Sequence, residues 1–109
     1  MTEKDKKAVA LIQELTAKKF GVTRADILGP RRPEPVTLAR TASMQLCRLV
    51  LDLTFAEIGS LHGKRDHATA RLAHIRAEDL ADSGHPWFRK RFKAALIAAS
   101  EAFRKGKFK

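Results

Sequence analysis

Between Gly59 and Thr69 the chain reads Gly-Ser-Leu-His-Gly-Lys-Arg-Asp-His-Ala-Thr, and this run carries most of the side chains with chemistry to offer. A phosphate loop would need four residues between its glycines and a Ser or Thr after the lysine. Gly59 and Gly63 enclose three, and Arg65 follows Lys64, so the run is not expected to bind a nucleotide. His62, Asp66 and His67 could suggest a metal or an acid–base pair. They straddle a turn without a repeated ligand spacing, however, and histidine near a helix start is more often a hydrogen-bonding surface residue. The only cysteine, Cys47, excludes an intrachain disulfide and any multi-cysteine zinc site, which fits a reducing cytosol, and is expected to pack in the core. No catalytic residue, metal, cofactor or small-molecule ligand is therefore expected. What remains is recognition.

The elements around the run suit that purpose. Thr54 and Glu57 have the T-x-x-E spacing of a capping box, with Leu53 and Ile58 spaced as a hydrophobic staple, so a short helix starts at Phe55. Phe55, Ile58 and Leu61 give its apolar side, and Gly63 suits a helix end near His62. Asp66 can cap a second helix. In it Thr69, Leu72, Ala73, Ile75 and Leu80 are expected to face inward, and His67, Ala68, Arg71 and His74 outward as a reading face. Helix, short glycine turn, helix is the helix-turn-helix plan, in which the start of the second helix meets base edges in the major groove. Helical hairpins that never touch DNA share these features.

The rest of the chain reads as packing helices, with no strand pattern. Ala8, Val9, Leu11, Ile12 and Leu15 mark a helix over about residues 4–19, capped by Thr2 and Asp5. A short one follows to Leu28, with Thr23 and Asp26 as its capping box and Gly29-Pro30 as its stop. Residues 31–35, Arg-Arg-Pro-Glu-Pro, read as an extended, proline-stiffened arm. It is either a solvated linker or a rigid arm that lays an arginine in a narrow minor groove. Residues 36–53 form a long central helix with Ala39, Ala42, Leu46, Leu49, Val50 and Leu53 as its buried stripe. Arg40 and Arg48 lie off that stripe, as solvated charges or phosphate contacts. From Pro86 a basic amphipathic helix carries Phe88, Phe92, Ala95, Leu96, Ala99 and Phe103. Its alanine-rich stripe suits helix packing better than lipid insertion. One domain over residues 1–103 and a disordered basic tail over 104–109 are expected.

The chain has 22 Lys and Arg against 12 Asp and Glu, a net charge of +10. Such a field favours polyanions. The N-terminus shows neither a signal peptide nor a span, so a cytoplasmic, nucleoid-associated protein without a membrane role is expected.

Gly63-Lys64-Arg65-Asp66-His67-Ala68-Thr69 resembles the Gly-x-Arg-Asp-His-Ser/Thr-Thr signature of the C-terminal DNA-binding domain of the bacterial replication initiator DnaA. Phe20-Gly21-Val22, Ala25-Asp26-Ile27-Leu28, Arg31-Arg32, Arg40, Met44, Leu46 and Glu57-Ile58-Gly59 extend the resemblance without gaps, from about the first helix to Arg76. It implies an all-α helix-turn-helix domain of that type, here with an added basic C-terminal helix, that binds double-stranded DNA at DnaA-box-like sites. By resemblance Arg32 would enter the minor groove, and Asp66 and His67 would face bases in the major groove. Arg40, Arg48, Lys64, Arg65 and Thr69 would hold phosphates or the turn, Arg48 being the better matched phosphate contact of the two central-helix arginines. Ala68 and Arg71 complete the reading face.

Three departures bear on specificity. Ala68 stands where the signature has Ser or Thr, losing a hydroxyl but keeping a methyl that can touch thymine. Leu38-Ala39-Arg40 replaces the family's Arg-Pro-Arg, and Arg71 and Leu72 replace an apolar residue and a histidine. The implied function is regulation of replication initiation or of transcription, with the full-length initiator or its regulators as protein partners. A protein-binding adaptor reusing the fold is a second reading, and a basic RNA-binding module a third. The lack of tyrosine and of interleaved exposed aromatics weakens the RNA reading.

Overall fold

The computed structural model describes residues 2–106. Its helices are α1 (Glu3–Phe20), α2 (Arg24–Leu28), α3 (Glu34–Leu51), α4 (Phe55–Ser60), α5 (His67–Asp82) and α6 (Pro86–Arg104), with no strand among the described residues. Local chemistry sets most of their starts. Thr2 with Asp5, Thr23 with Asp26 and Thr54 with Glu57 each close a reciprocal capping box, as their spacing predicts. Asp66 caps α5, and Gly84 in the left-handed region (φ 74°) separates α5 from α6.

The α3 helix lies at the centre, touched by every other helix. Buried residues point from all around it, among them Val36, Leu38, Ala39, Ala42, Met44, Leu46 and Cys47. It starts at Glu34, earlier than the apolar pattern suggests, because Pro35 falls in the first turn, where a missing N–H costs no hydrogen bond. The extended arm therefore shortens to residues 31–33. The helix ends at Leu51, with Asp52 left-handed as its cap, so Leu53 lies beyond it and is buried together with Ile58. Leu49, expected inside, is 54% exposed.

Two apolar clusters share the α3 axis. One joins α1 (Val9, Ile12), α3 (Met44, Leu46, Cys47), α4 (Ile58) and α6 (Ala95, Ala99). The other gathers Phe20, Ile27, Leu38, Ala39, Ala42, Ala77 and Phe88. Phe20 meets Trp87 edge-on at 5.5 Å and Phe88 at 5.9 Å. The α6 helix thus closes the core, and its alanines sit against α1 as the stripe predicts. Phe103 departs from that stripe, being 53% exposed. Arg104 belongs to α6 and Lys105–Gly106 to a turn, so the tail does not begin at residue 104; residues 107–109 lie outside the described residues.

Candidate nucleic-acid interface

The turn between α4 and α5 is held by polar bonds from distant parts of the chain. Gln13 of α1, fully buried, donates its amide to the Leu61 carbonyl at 2.8 Å and accepts from Arg24 at 2.8 Å. His62 is also fully buried, contrary to the surface role expected of it. Its Nδ1–H donates to the Ile58 carbonyl at 2.8 Å, so the neutral ring accepts the Ser43 hydroxyl at Nε2, 2.7 Å away. Burial pushes its pKa down to about 4.

Two glycines allow the close approach. A Cβ on Gly59 would lie 2.5 Å from the Asp66 carbonyl oxygen and 2.6 Å from that of Arg65, and one on Gly63 (φ 77°) would collide with the Leu28 carbonyl. The run that superficially suggests a phosphate loop is thus a packed turn.

Arginines tie the turn and the arm together. Arg65 donates to the carbonyls of His62, Leu28 and Gly29, the last at 2.7 Å. Arg40 donates through Nε to the Ile27 carbonyl at 2.7 Å, and through Nη2 to those of Asp26, Gly29 and Arg31. These bonds supply the end of α2 with the donors that its last carbonyls lack. Burial, then the charges of Arg65 and Arg32, lower the Arg40 pKa, so three guanidinium groups reinforce one positive field. Arg32 is exposed on the arm, with no hydrogen bond to other described residues. Arg31 beside it pairs with Asp26 at 3.5 Å.

An open cleft of about 500 Å³ runs between α3 and α5 under this arm, lined by Arg32, Arg40, Arg65, Thr69, Leu72 and Arg76. Asp66 Oδ1 accepts the Thr69 backbone N–H and hydroxyl, both at 2.9 Å. Those bonds, the backbone one first, hold the carboxyl below the usual range. His67, Ala68 and Arg71 stand exposed on the outer side of α5, and Lys64 is exposed in the turn at φ 58°. Arg48 lies apart from the cleft. It donates to the Leu53 carbonyl at 2.8 Å and covers the Phe55 ring at 4.6 Å, bracing the start of α4.

The α5 helix is rotated from its expected phase. Its inner side is Ala70, Ala73, His74 and Ala77, with Leu80 half-buried. His74 Nδ1 meets Gln45 Oε1 at 2.7 Å and its Nε2 faces Glu78 at 3.2 Å. Thr69, Leu72 and Ile75, expected inside, are exposed. Small residues let α5 approach α3 closely, and a hydrogen-bonded histidine satisfies the remaining gap, so the bulkier side chains turn outward. Arg76 and Leu72 were not expected at the cleft. The alanines recurring at 70, 73 and 77 are the signal that would have revealed the phase. Among the described residues no group of three His, Cys, Asp or Glu could hold a metal, and no helix is long and apolar enough to cross a membrane.

Residues 9–76 match the family described as bacterial dnaA protein helix-turn-helix. Among similar proteins, the chromosomal replication initiator protein DnaA of Bifidobacterium animalis subsp. lactis is 46% identical over 57 residues, 52% of this chain and 10% of the relative. The same-named proteins of Latilactobacillus sakei and Caulobacter vibrioides are 36% and 37% identical over 69 and 75 residues, about 15% of each relative. The chain therefore spans only a small fraction of these relatives. Family and fold agree: the chain belongs to the bacterial DnaA helix-turn-helix family, a DNA-binding family.

Proposed function

We propose that this chain recognises double-stranded DNA at DnaA-box-like sites and regulates replication initiation or transcription by occupying them. The observation that carries this reading is one convergence. The exposed first turns of α5, with His67, Ala68 and Arg71, adjoin an arginine-lined cleft roofed by the arm that bears Arg32. A helix start set in the major groove and an arginine arm reaching the neighbouring minor groove form a two-groove clamp. In this reading His67 and Ala68 face bases, with Asp66 dividing its carboxylate between cap and base. Arg32 reads minor-groove width, and Lys64, Arg71 and Thr69 hold backbone or bases nearby. Arg40, Arg48 and Arg65 commit some donors to carbonyls and offer the remaining guanidinium edges to phosphates. Sites shared with an initiator would bring the chain into competition or cooperation with it.

Selection of bound fragments from a random duplex library tests the reading. His67→Ala should lower preference for the selected site by about 5- to 150-fold relative to a scrambled duplex, since a lost base contact matters only where the right base is present. Arg32→Ala should act at one A·T-rich end of the site, and Ala68→Thr should shift preference toward a standard DnaA box. Equal losses on both duplexes, or equal affinity for RNA, would remove the claim of sequence-specific recognition.

A further inference from the structure

A second concave surface lies away from the helix-turn-helix, between the last turn of α5 and the first half of α6. It is an open hollow of about 370 Å³ whose floor is Phe88, Phe92 and Leu96, with Ala81 of α5 as its far wall. Phe88 is buried and serves the core. Phe92 and Leu96, one helical turn apart, are only half-buried and present apolar surface to the hollow, and Ala81 is exposed. Three cations stand round this floor. Arg89, Lys90 and Lys93 are exposed, and among the described residues none of them pairs with a carboxylate. Arg91 on the same helix is employed within the fold: it covers the Trp87 ring at 4.2 Å and donates to the Trp87 carbonyl at 3.4 Å. A solvated charge or a single exposed apolar residue is ordinary. An apolar floor ringed by unpaired charges of one sign has the layout of a protein interface, an apolar centre inside a polar rim.

We propose that this hollow docks an acidic segment of a partner protein, which seats a bulky apolar side chain on Phe92 and Leu96 and sets its carboxylates against Arg89, Lys90 and Lys93. Charge complementarity selects the acid, and the floor selects the apolar anchor. A duplex edge carries the negative charge but has no side chain to fill the floor. To reach the hollow from the first turns of α5 it would also pass the exposed carboxylates of Glu78, Asp79 and Asp82. A membrane surface is flat, whereas this floor is recessed beneath three charged heads. Ala81 lies about 20 Å along α5 from His67, so a segment held here leaves the helix start and the arginine-lined cleft uncovered. The proposal therefore stands or falls apart from the duplex-binding reading above.

The test uses the 109-residue chain and a set of synthetic peptides of Asp and Glu in which two positions are varied over Ala, Leu, Phe and Trp. Binding is read by fluorescence anisotropy. Peptides with a bulky apolar residue should bind about tenfold or more tightly than the alanine peptide of equal charge, and all should weaken as salt rises. Ala81→Phe fills the hollow from its exposed wall, removes no core contact and leaves the net charge unchanged; it should abolish that preference. Lys93→Glu should weaken the apolar peptides by about tenfold, while Lys64→Glu, the same reversal at the helix-turn-helix, should change little. The comparison among peptides needs no variant, so it holds whatever a substitution does to folding. If the alanine peptide binds as tightly as the others, or if Ala81→Phe leaves the preference intact, the hollow is not the seat and the proposal is wrong. It is equally wrong if no peptide binds. Binding of phosphatidylglycerol vesicles or of a random duplex that Lys93→Glu weakens, with no peptide bound, would assign the surface to lipid or to nucleic acid instead.

Discussion

A buried neutral histidine in the turn between α4 and α5 makes that turn sensitive to acid. His62 titrates at about 4 in the fold, where burial disfavours the imidazolium, against about 6.5 in an unfolded chain. As pH falls below about 6.5 the unfolded chain takes up a proton that the native ring refuses. Stability is therefore fully present above that value, declines on acidification, and stops declining near pH 4, with a total loss on the order of 3 kcal/mol. Asp26, Glu57 and Asp66, whose capping bonds lower their pKa values, act in a separate window. Their contribution is present above the ordinary carboxylate range and is lost only as pH falls through it. Urea unfolding at pH 7.5 and pH 5 isolates the histidine. The native chain should lose stability between the two, and His62→Gln should show little change over the interval while being weaker at pH 7.5. A native chain equally stable at both values would contradict the buried neutral ring.

Among the elements, those whose causes are local were legible in the sequence, and those with distant causes were not. Each capping box depends on residues three apart, so the starts of α1, α2 and α4 could be read directly. The phase of α5 follows its small residues, Ala70, Ala73 and Ala77, which let it approach α3 closely, and not its bulkiest ones; a stripe drawn through the large apolar side chains turns Leu72 and Ile75 inward instead. Likewise, the bonds clamping the turn join residues 48 apart for Gln13 and Leu61, and 36 apart for Arg65 and Gly29. Arg40 and Arg48 could be read as cations off the buried stripe of the central helix, but not as donors to backbone carbonyls. The same logic applies to α6, which lies beyond the matched residues 9–76 yet carries Phe88, fully buried against Phe20. Phe88→Ala should destabilise the chain by about 3 to 5 kcal/mol. A calorimetric midpoint lowered by ~10 °C or more would match; a near-unchanged midpoint would mean that α6 is dispensable to the family core.

At the scale of the whole molecule the net charge of +10 is spread unevenly, and the spread separates binding from steering. Arg32, Arg40, Arg65 and Arg76 line the cleft, with Lys64 at its turn. Arg89, Lys90 and Lys93 line a different hollow, between the end of α5 and α6, with Ala81, Phe92 and Leu96. Both groups attract a polyanion from a distance, but only groups in contact with phosphates displace counterions at equilibrium. If the interface neutralises ~4 to 8 phosphates, log K against log salt should slope at about −4 to −7. Lys64→Ala, which removes an exposed side chain with no hydrogen bond to the described residues, should flatten that slope by about one unit on selected and random duplexes alike, because a phosphate contact carries no base information. The double change Arg89→Ala with Lys90→Ala should leave the slope in place and slow association at low salt, since those charges act only through the long-range field. Titrations at four salt concentrations with both variants decide between the two roles. A slope flattened by about two units in the α6 variant would bring that helix into the interface and enlarge the DNA footprint beyond the helix-turn-helix.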